Sequence, residues 1–171
     1  LIILVYSIIS ALQRKYFVLI AGIIALIVIS LPSILTKKWK IQLPLILNLM
    51  IAFSFFIHMQ GLAMNWYTRF YPIYDKFGHF LGSATVTLLG FALGIIIEKY
   101  SKIKIKRNYL IFFIIIFTLA IGTLWEIGEF SMDQLFHQNN QKGLDDTMWD
   151  LIFDLIGGIF IGIITYVNFE K

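Results

Sequence analysis

The run YLIFFIIIFTLAIGTLWEIGEF, residues 109–130, decides the class of fold. No charge interrupts it before Glu126, and about 20 consecutive apolar residues are what a helix needs to cross a bilayer. Working outward, further apolar runs fall near 1–12, 16–36, 41–63, 77–97 and 147–168. Hydrophobic residues make up 59% of the 171 and charged residues 14%, against roughly 45–50% and about 25% in a soluble domain. The chain therefore reads as all-α, a polytopic transmembrane helical bundle of five spans forming one integral membrane domain over residues 1–171. The run 1–12 is too short to span. Opening at Leu1 without a basic leader, it reads as a partial or trimmed N-terminal helix rather than a signal peptide. Pro32 and Pro44 lie near the ends of their runs, where a missing N–H is tolerated, and Pro72 closes the aromatic loop NWYTRFYP, suited to the membrane interface.

The absence of cysteine excludes disulfides, thiolate metal sites and a cysteine nucleophile, so any metal must take oxygen or imidazole ligands. The formal charge of +4 does not point to nucleic acid, because the basic residues occupy short loops rather than a patch interleaved with base-stacking aromatics. They act as topology signals. Lys37, Lys38 and Lys40 lie in one loop, and Lys99, Lys102, Lys104, Lys106 and Arg107 in the loop two spans later, which places both loops in the cytoplasm. Arg14 and Lys15 fall on the opposite side and are outnumbered.

Three acidic clusters border the apolar runs: YDKFGHF at 74–80, WEIGEF at 125–130 and DDTMWDLIFDLIGG at 145–158. Under this topology all three meet at the outer membrane face of a multi-pass cell-membrane protein. Asp75 and His79 are four apart, Glu126, Glu129 and Asp133 three and four apart, and Asp146, Asp150 and Asp154 four and four apart, so each helix offers one polar stripe. At 1.5 Å per residue, His79, Glu126 and Asp150 are expected about one turn, ~5 Å, below the rim and Asp154 about two turns. A charged side chain at a helix centre costs about 2.5–3.5 kcal/mol on insertion scales, and facing carboxylates repel one another. Lys76 and Arg69, the basic residues near these segments, are too few to neutralise the acids. Bound cations or protonated carboxyls must supply the balance. Several carboxylates with one imidazole suit Mg, Mn, Ca or Zn, with ligands drawn from Asp75, His79, Glu126, Glu129, Asp150 and Asp154. The competing reading is an interhelical hydrogen-bond network of protonated acids with Lys76 and His79.

Other features read as packing or interface. Glycines at 78, 82, 90, 94, 157, 158 and 162 permit close helix approach. His58 reads as a hydrogen-bonded interfacial residue, His137 as a solvated loop residue, Trp125 and Trp149 as interface markers, and the run 111–117 as lipid-facing. No phosphate loop, GxSxG elbow or HExxH signature is present. The DxxxDxxxD spacing of Asp146, Asp150 and Asp154 resembles the aspartate motifs of membrane prenyltransferases, but it occurs once in a chain shorter than theirs.

Taken in order, the three blocks resemble the YjdF-like family of bacterial and archaeal inner-membrane proteins, with its YD(R/K)xGHF, (Y/W)E(L/I)xE(W/F) and D(T)xxD segments, across residues 70–165. A more distant similarity is to VanZ-type proteins, associated with glycopeptide resistance. There Asp154 stands where those often carry Asn, and Glu129 where they carry Gln. The resemblance implies a membrane fold with its site at these blocks, and no reaction. Two functions are expected from the residues. One is a metal-dependent enzyme acting on a lipid head group or lipid-linked substrate, with Glu126 or Asp150 activating water or a hydroxyl and Lys76 and Arg69 holding the substrate. The other is a cation- or proton-binding transport protein, or a lipid-binding accessory protein. Membrane lipid is the expected partner, nucleic acid is not, and a homo-oligomer is left open.

Overall fold

The structure, a computed structural model, describes residues 1–101, 103–137 and 139–169, and side chains at all of these except 17, 39 and 169. Lys102, one of the loop charges used to orient the chain, lies outside the described residues. Among the described residues the regular elements are all helices, α1 (Ile2–Leu12), α2 (Tyr16–Trp39), α3 (Leu45–Ala63), α4 (Trp66–Arg69), α5 (Ile73–Ser101), α6 (Arg107–Phe136) and α7 (Leu144–Phe169). Helices α2, α3, α5, α6 and α7 are long and apolar enough to cross a membrane, and α1 is not. The expected count of five spans and a short N-terminal helix holds.

The helix ends differ from the hydropathy limits in one consistent way. Helix α5 begins at Ile73 rather than near 77, α6 continues to Phe136 rather than 130, and α7 starts at Leu144. Each extension is built from a polar block. At α5 and α7 the acids that precede an apolar run belong to the helix, because Asp in a first turn is favoured by the dipole, as at Asp75, Asp145 and Asp146.

The chain divides into two compact units, residues 1–78 and 79–171, with the division inside α5. In the first unit, Ile3 of α1, Ala25 of α2 and Met59 of α3 form a buried cluster. The hydroxyl of Tyr6 donates to Gln60 Oε1 at 2.6 Å, tying α1 to α3. The aromatic loop carries the short helix α4, which the sequence reading did not anticipate. His58 Nδ1 lies 2.8 Å from the Tyr67 hydroxyl, as expected of a hydrogen-bonded histidine, and Tyr74 donates to the Ile57 carbonyl at 2.6 Å.

The second unit buries many polar and small side chains and exposes large apolar ones. Among the described side chains, the buried positions of α7 are Asp146, Asp150, Asp154, Gly157, Gly158, Gly162 and Thr165, a single helical stripe without one large apolar side chain. On α6 the buried stripe is Leu110, Ile114, Thr118 and Glu126. Phe112, Phe113 and Phe117 point outward as expected of lipid-facing residues, whereas Ile114 is buried, because the helical period turns that position of the run inward. In lipid, apolar side chains gain little by meeting one another, so helices associate through small residues and hydrogen bonds. Thr87 of α5 and Thr118 of α6 meet at 2.9 Å between hydroxyls. A Cβ added at Gly94 would come within 2.7 Å of Leu110, and one at Gly157 within 2.5 Å of the Phe80 carbonyl oxygen, so both glycines mark helix crossings.

Candidate metal centre

Within the second unit, His79 is the hub of a cluster of acids. It stands six residues after Ile73, the first residue of α5, while Asp150 stands six after Leu144, the first of α7; both are about 9 Å along their helices. Counted from the helix starts, this is further along than the hydropathy limits gave, because both helices begin earlier. From the imidazole, Nε2 lies 3.5 Å from Glu126 Oε1 and 3.5 Å from Asp150 Oδ1. Nδ1 lies 3.3 and 3.4 Å from the two oxygens of Asp154. Asp150 and Asp154 are one turn apart, and the opposed ring nitrogens let a single histidine meet both.

All four side chains are shielded: His79 keeps 8% of its side-chain accessibility, Glu126 5%, Asp150 2% and Asp154 4%. Each buried carboxylate, left uncompensated, would cost several kcal/mol. The imidazole brings at most one positive charge against three negative ones. Helix packing also makes room for this charge: a Cβ at Gly122 on α6 would overlap the Asp154 carboxylate. Gly122 is thus the gap that admits Asp154 between α6 and α7, a role that its sequence context did not signal.

The loop between α6 and α7 supplies a neutral donor to the site. Gln141 Nε2 donates to Glu126 Oε2 at 3.3 Å and to the Glu126 carbonyl at 3.1 Å. Asp133, read from sequence as part of the α6 stripe, instead accepts from the backbone N–H of Asn140 at 2.9 Å, the Asn140 amide at 2.8 Å and the N–H of Gln141 at 2.9 Å. Asp146 accepts from the Lys142 N–H at 3.0 Å, satisfying a backbone donor ahead of α7.

The remaining sequence candidates have their own partners. Glu129 accepts from Trp125 Nε1 at 2.9 Å on the more exposed side of α6. In the first unit, Lys76 is buried and pairs with Asp75 at 3.3 Å, with its ammonium 5.8 Å from the Tyr71 ring centroid. Arg69 ends α4, exposed, with its guanidinium over Phe70. Within the second unit the structure therefore joins His79, Glu126, Asp150 and Asp154 and adds Gln141. An amide-rich loop, HQNNQKG at 137–143, was the signal for that addition, although periodicity could not single out position 141.

Below the acids, Ser83 donates to the His79 carbonyl at 2.7 Å and Thr87 to the Ser83 carbonyl at 2.8 Å, reaching the Thr87–Thr118 pair. Further along α5 and α6, Phe91, Leu110 and Ile114 form an apolar cluster, with the Arg107 guanidinium 5.4 Å from the Phe91 ring centroid. Among the described residues, the polar column thus gives way to an apolar layer before the far ends of these helices.

The sequence signature of a family described as "Predicted membrane protein (DUF2238)" matches residues 1–171. An "Uncharacterized protein" of Thermotoga maritima is 34% identical over 137 residues, 79% of this chain and 69% of the relative. No solved structure matches.

Proposed function

The chain belongs to the DUF2238 family of predicted membrane proteins, and from that premise we propose that its second unit holds a divalent cation used on a lipid head group or lipid-linked substrate. One observation carries the reading: three buried carboxylates converge on the two ring nitrogens of one buried histidine. Cation chemistry fits their spacing. An ion held at about 2.1 Å by tetrahedrally arranged ligands sets those ligands about 3.4 Å apart, close to the 3.5 Å from His79 Nε2 to Glu126 and to Asp150. In this reading Nε2, Glu126 and Asp150 are ligands, while Asp154 takes the outer role of holding Nδ1–H and so fixing the ring. That differs from the expectation that Asp154 is itself a ligand. Three protein ligands leave coordination positions open, as a catalytic centre requires, and the cation would polarise a phosphoryl oxygen and activate bound water or a hydroxyl, with Glu126 or Asp150 taking the proton. The likeness of the three acidic blocks to YjdF-like proteins, and more distantly to VanZ-type proteins, supports placing the site there.

A transport reading has less support, because the hydroxyl column ends on Phe91, Leu110 and Ile114. The test is elemental analysis of detergent-purified protein beside Glu126→Gln and Asp150→Asn. Stoichiometric Mg, Mn, Ca or Zn in the wild type, lost in both variants, is expected. Protein that carries no metal and binds none when supplied would leave protonated acids as the explanation.

Orientation rests on the positive-inside rule, which assigns the site to the extracytoplasmic face. In this cysteine-free chain, Asn140→Cys is expected to react with a membrane-impermeant thiol reagent added outside intact cells. Labelling only after the cytoplasmic face is exposed would reverse the topology.

A further inference from the structure

Gln141 does more than close a loop. Its amide touches one oxygen of Glu126, Oε2, while the other, Oε1, faces His79. Three features leave the loop little freedom to place that amide elsewhere. Asp133 accepts from the backbone at both Asn140 and Gln141. Asp146 accepts from Lys142 N–H on the other side. Gly143 sits at φ +106°, a conformation that a residue with a side chain adopts only under strain. The second bond of the Gln141 amide, to the Glu126 carbonyl, fixes it against the backbone that carries the carboxylate.

Resting on the metal-site reading, we propose that Gln141 is a positioning residue that makes Glu126 a one-oxygen ligand. By holding Oε2, it leaves Oε1 alone for the cation, and Asp133 positions Gln141 in turn. A carboxylate without that restraint is free to rotate and chelate through both oxygens, occupying the coordination position that substrate or water needs. Outer partners of this kind typically contribute about 10- to 100-fold in metal affinity.

The test uses the full chain in detergent with Mn²⁺ as the probe, comparing wild type, Gln141→Ala, Asp133→Asn and Glu126→Gln. Calorimetry gives the affinity. Infrared difference spectra with ¹³C-carboxyl-labelled glutamate give the separation of the symmetric and antisymmetric carboxylate stretches, which is wide for one-oxygen and narrow for two-oxygen binding. Only four glutamates are present, and Glu126→Gln assigns the signal. Gln141→Ala is expected to weaken Mn²⁺ about 10-fold or more and to narrow the separation, with Asp133→Asn following in the same direction. A merely structural loop residue would not narrow it. Wild-type affinity and an unchanged separation in Gln141→Ala, with binding lost in Glu126→Gln, would overturn the positioning role and leave the metal site standing. A wild-type chain that binds no divalent ion would overturn both.

Discussion

Replacing His79 by leucine is expected to abolish cation binding and to destabilise the helices of residues 79–171 by about 3–5 kcal/mol, the usual cost of removing one partner from a buried charged group. The side chain faces Glu126 and Asp150 with one nitrogen and Asp154 with the other, and leucine offers none of them a donor. The magnitude separates the two explanations of the cluster. If the acids were simply protonated and hydrogen-bonded between helices, the loss would resemble that of an ordinary interhelical hydrogen bond, about 0.6 kcal/mol on average. Unfolding in mixed detergent micelles, followed by circular dichroism with and without added Mn²⁺, measures both quantities. The wild type is expected to be stabilised by the ion and the variant to be indifferent to it. A loss below about 1 kcal/mol would favour the neutral network. A double variant, His79→Leu with Asp154→Leu, should recover part of the stability, since it removes the carboxylate left facing no imidazole.

The second large effect is expected at Gly157. A Cβ there would sit 2.5 Å from the Phe80 carbonyl oxygen and 3.3 Å from the Ala84 nitrogen, and would also overlap the Ser83 hydroxyl. Two of these atoms belong to the helical backbone of α5, which cannot rotate away as a side chain can. Gly157→Val should therefore push α5 and α7 apart, at about 3 kcal/mol or more, the upper end of overpacking costs. Cation binding should go with it, because His79 rides on α5 and Asp150 on α7. Two neighbouring glycines calibrate the result in the same unfolding and Mn²⁺ titrations. At Gly158 a Cβ would meet Thr87 and Thr118 at 3.5 Å, ordinary contact, so Gly158→Ala should be tolerated. At Gly122 the obstacle is the end of a side chain, the Asp154 carboxylate, so Gly122→Ala should leave the fold intact while turning Asp154 away from His79 and weakening Mn²⁺ about 10-fold. Equal effects at all three glycines would contradict this division between fold and site.

What the sequence determined by itself follows from the bilayer. A span needs a length of apolar chain, so runs such as 109–130 announce helices one at a time, and five spans with a short first helix could be counted without knowing how any two pack. Carboxylates are costly among such runs, so the acids themselves marked where a polar cluster would form, and the four-residue spacing of Asp150 and Asp154 put them on one face of α7. Tertiary structure decided everything that depends on two helices at once. Equal spacing along a helix says nothing of which nitrogen of His79 each acid will meet, that Asp133 will turn to its own loop, or that Glu129 will bond Trp125. Nor does it mark Gly122 as the space for the Asp154 carboxylate or Gln141 as a donor to Glu126, because a glycine and an amide carry no periodic signal. The helix ends shifted for a related reason: hydropathy reports where a chain prefers lipid, whereas a helix continues wherever its backbone hydrogen bonds and its end dipoles are satisfied.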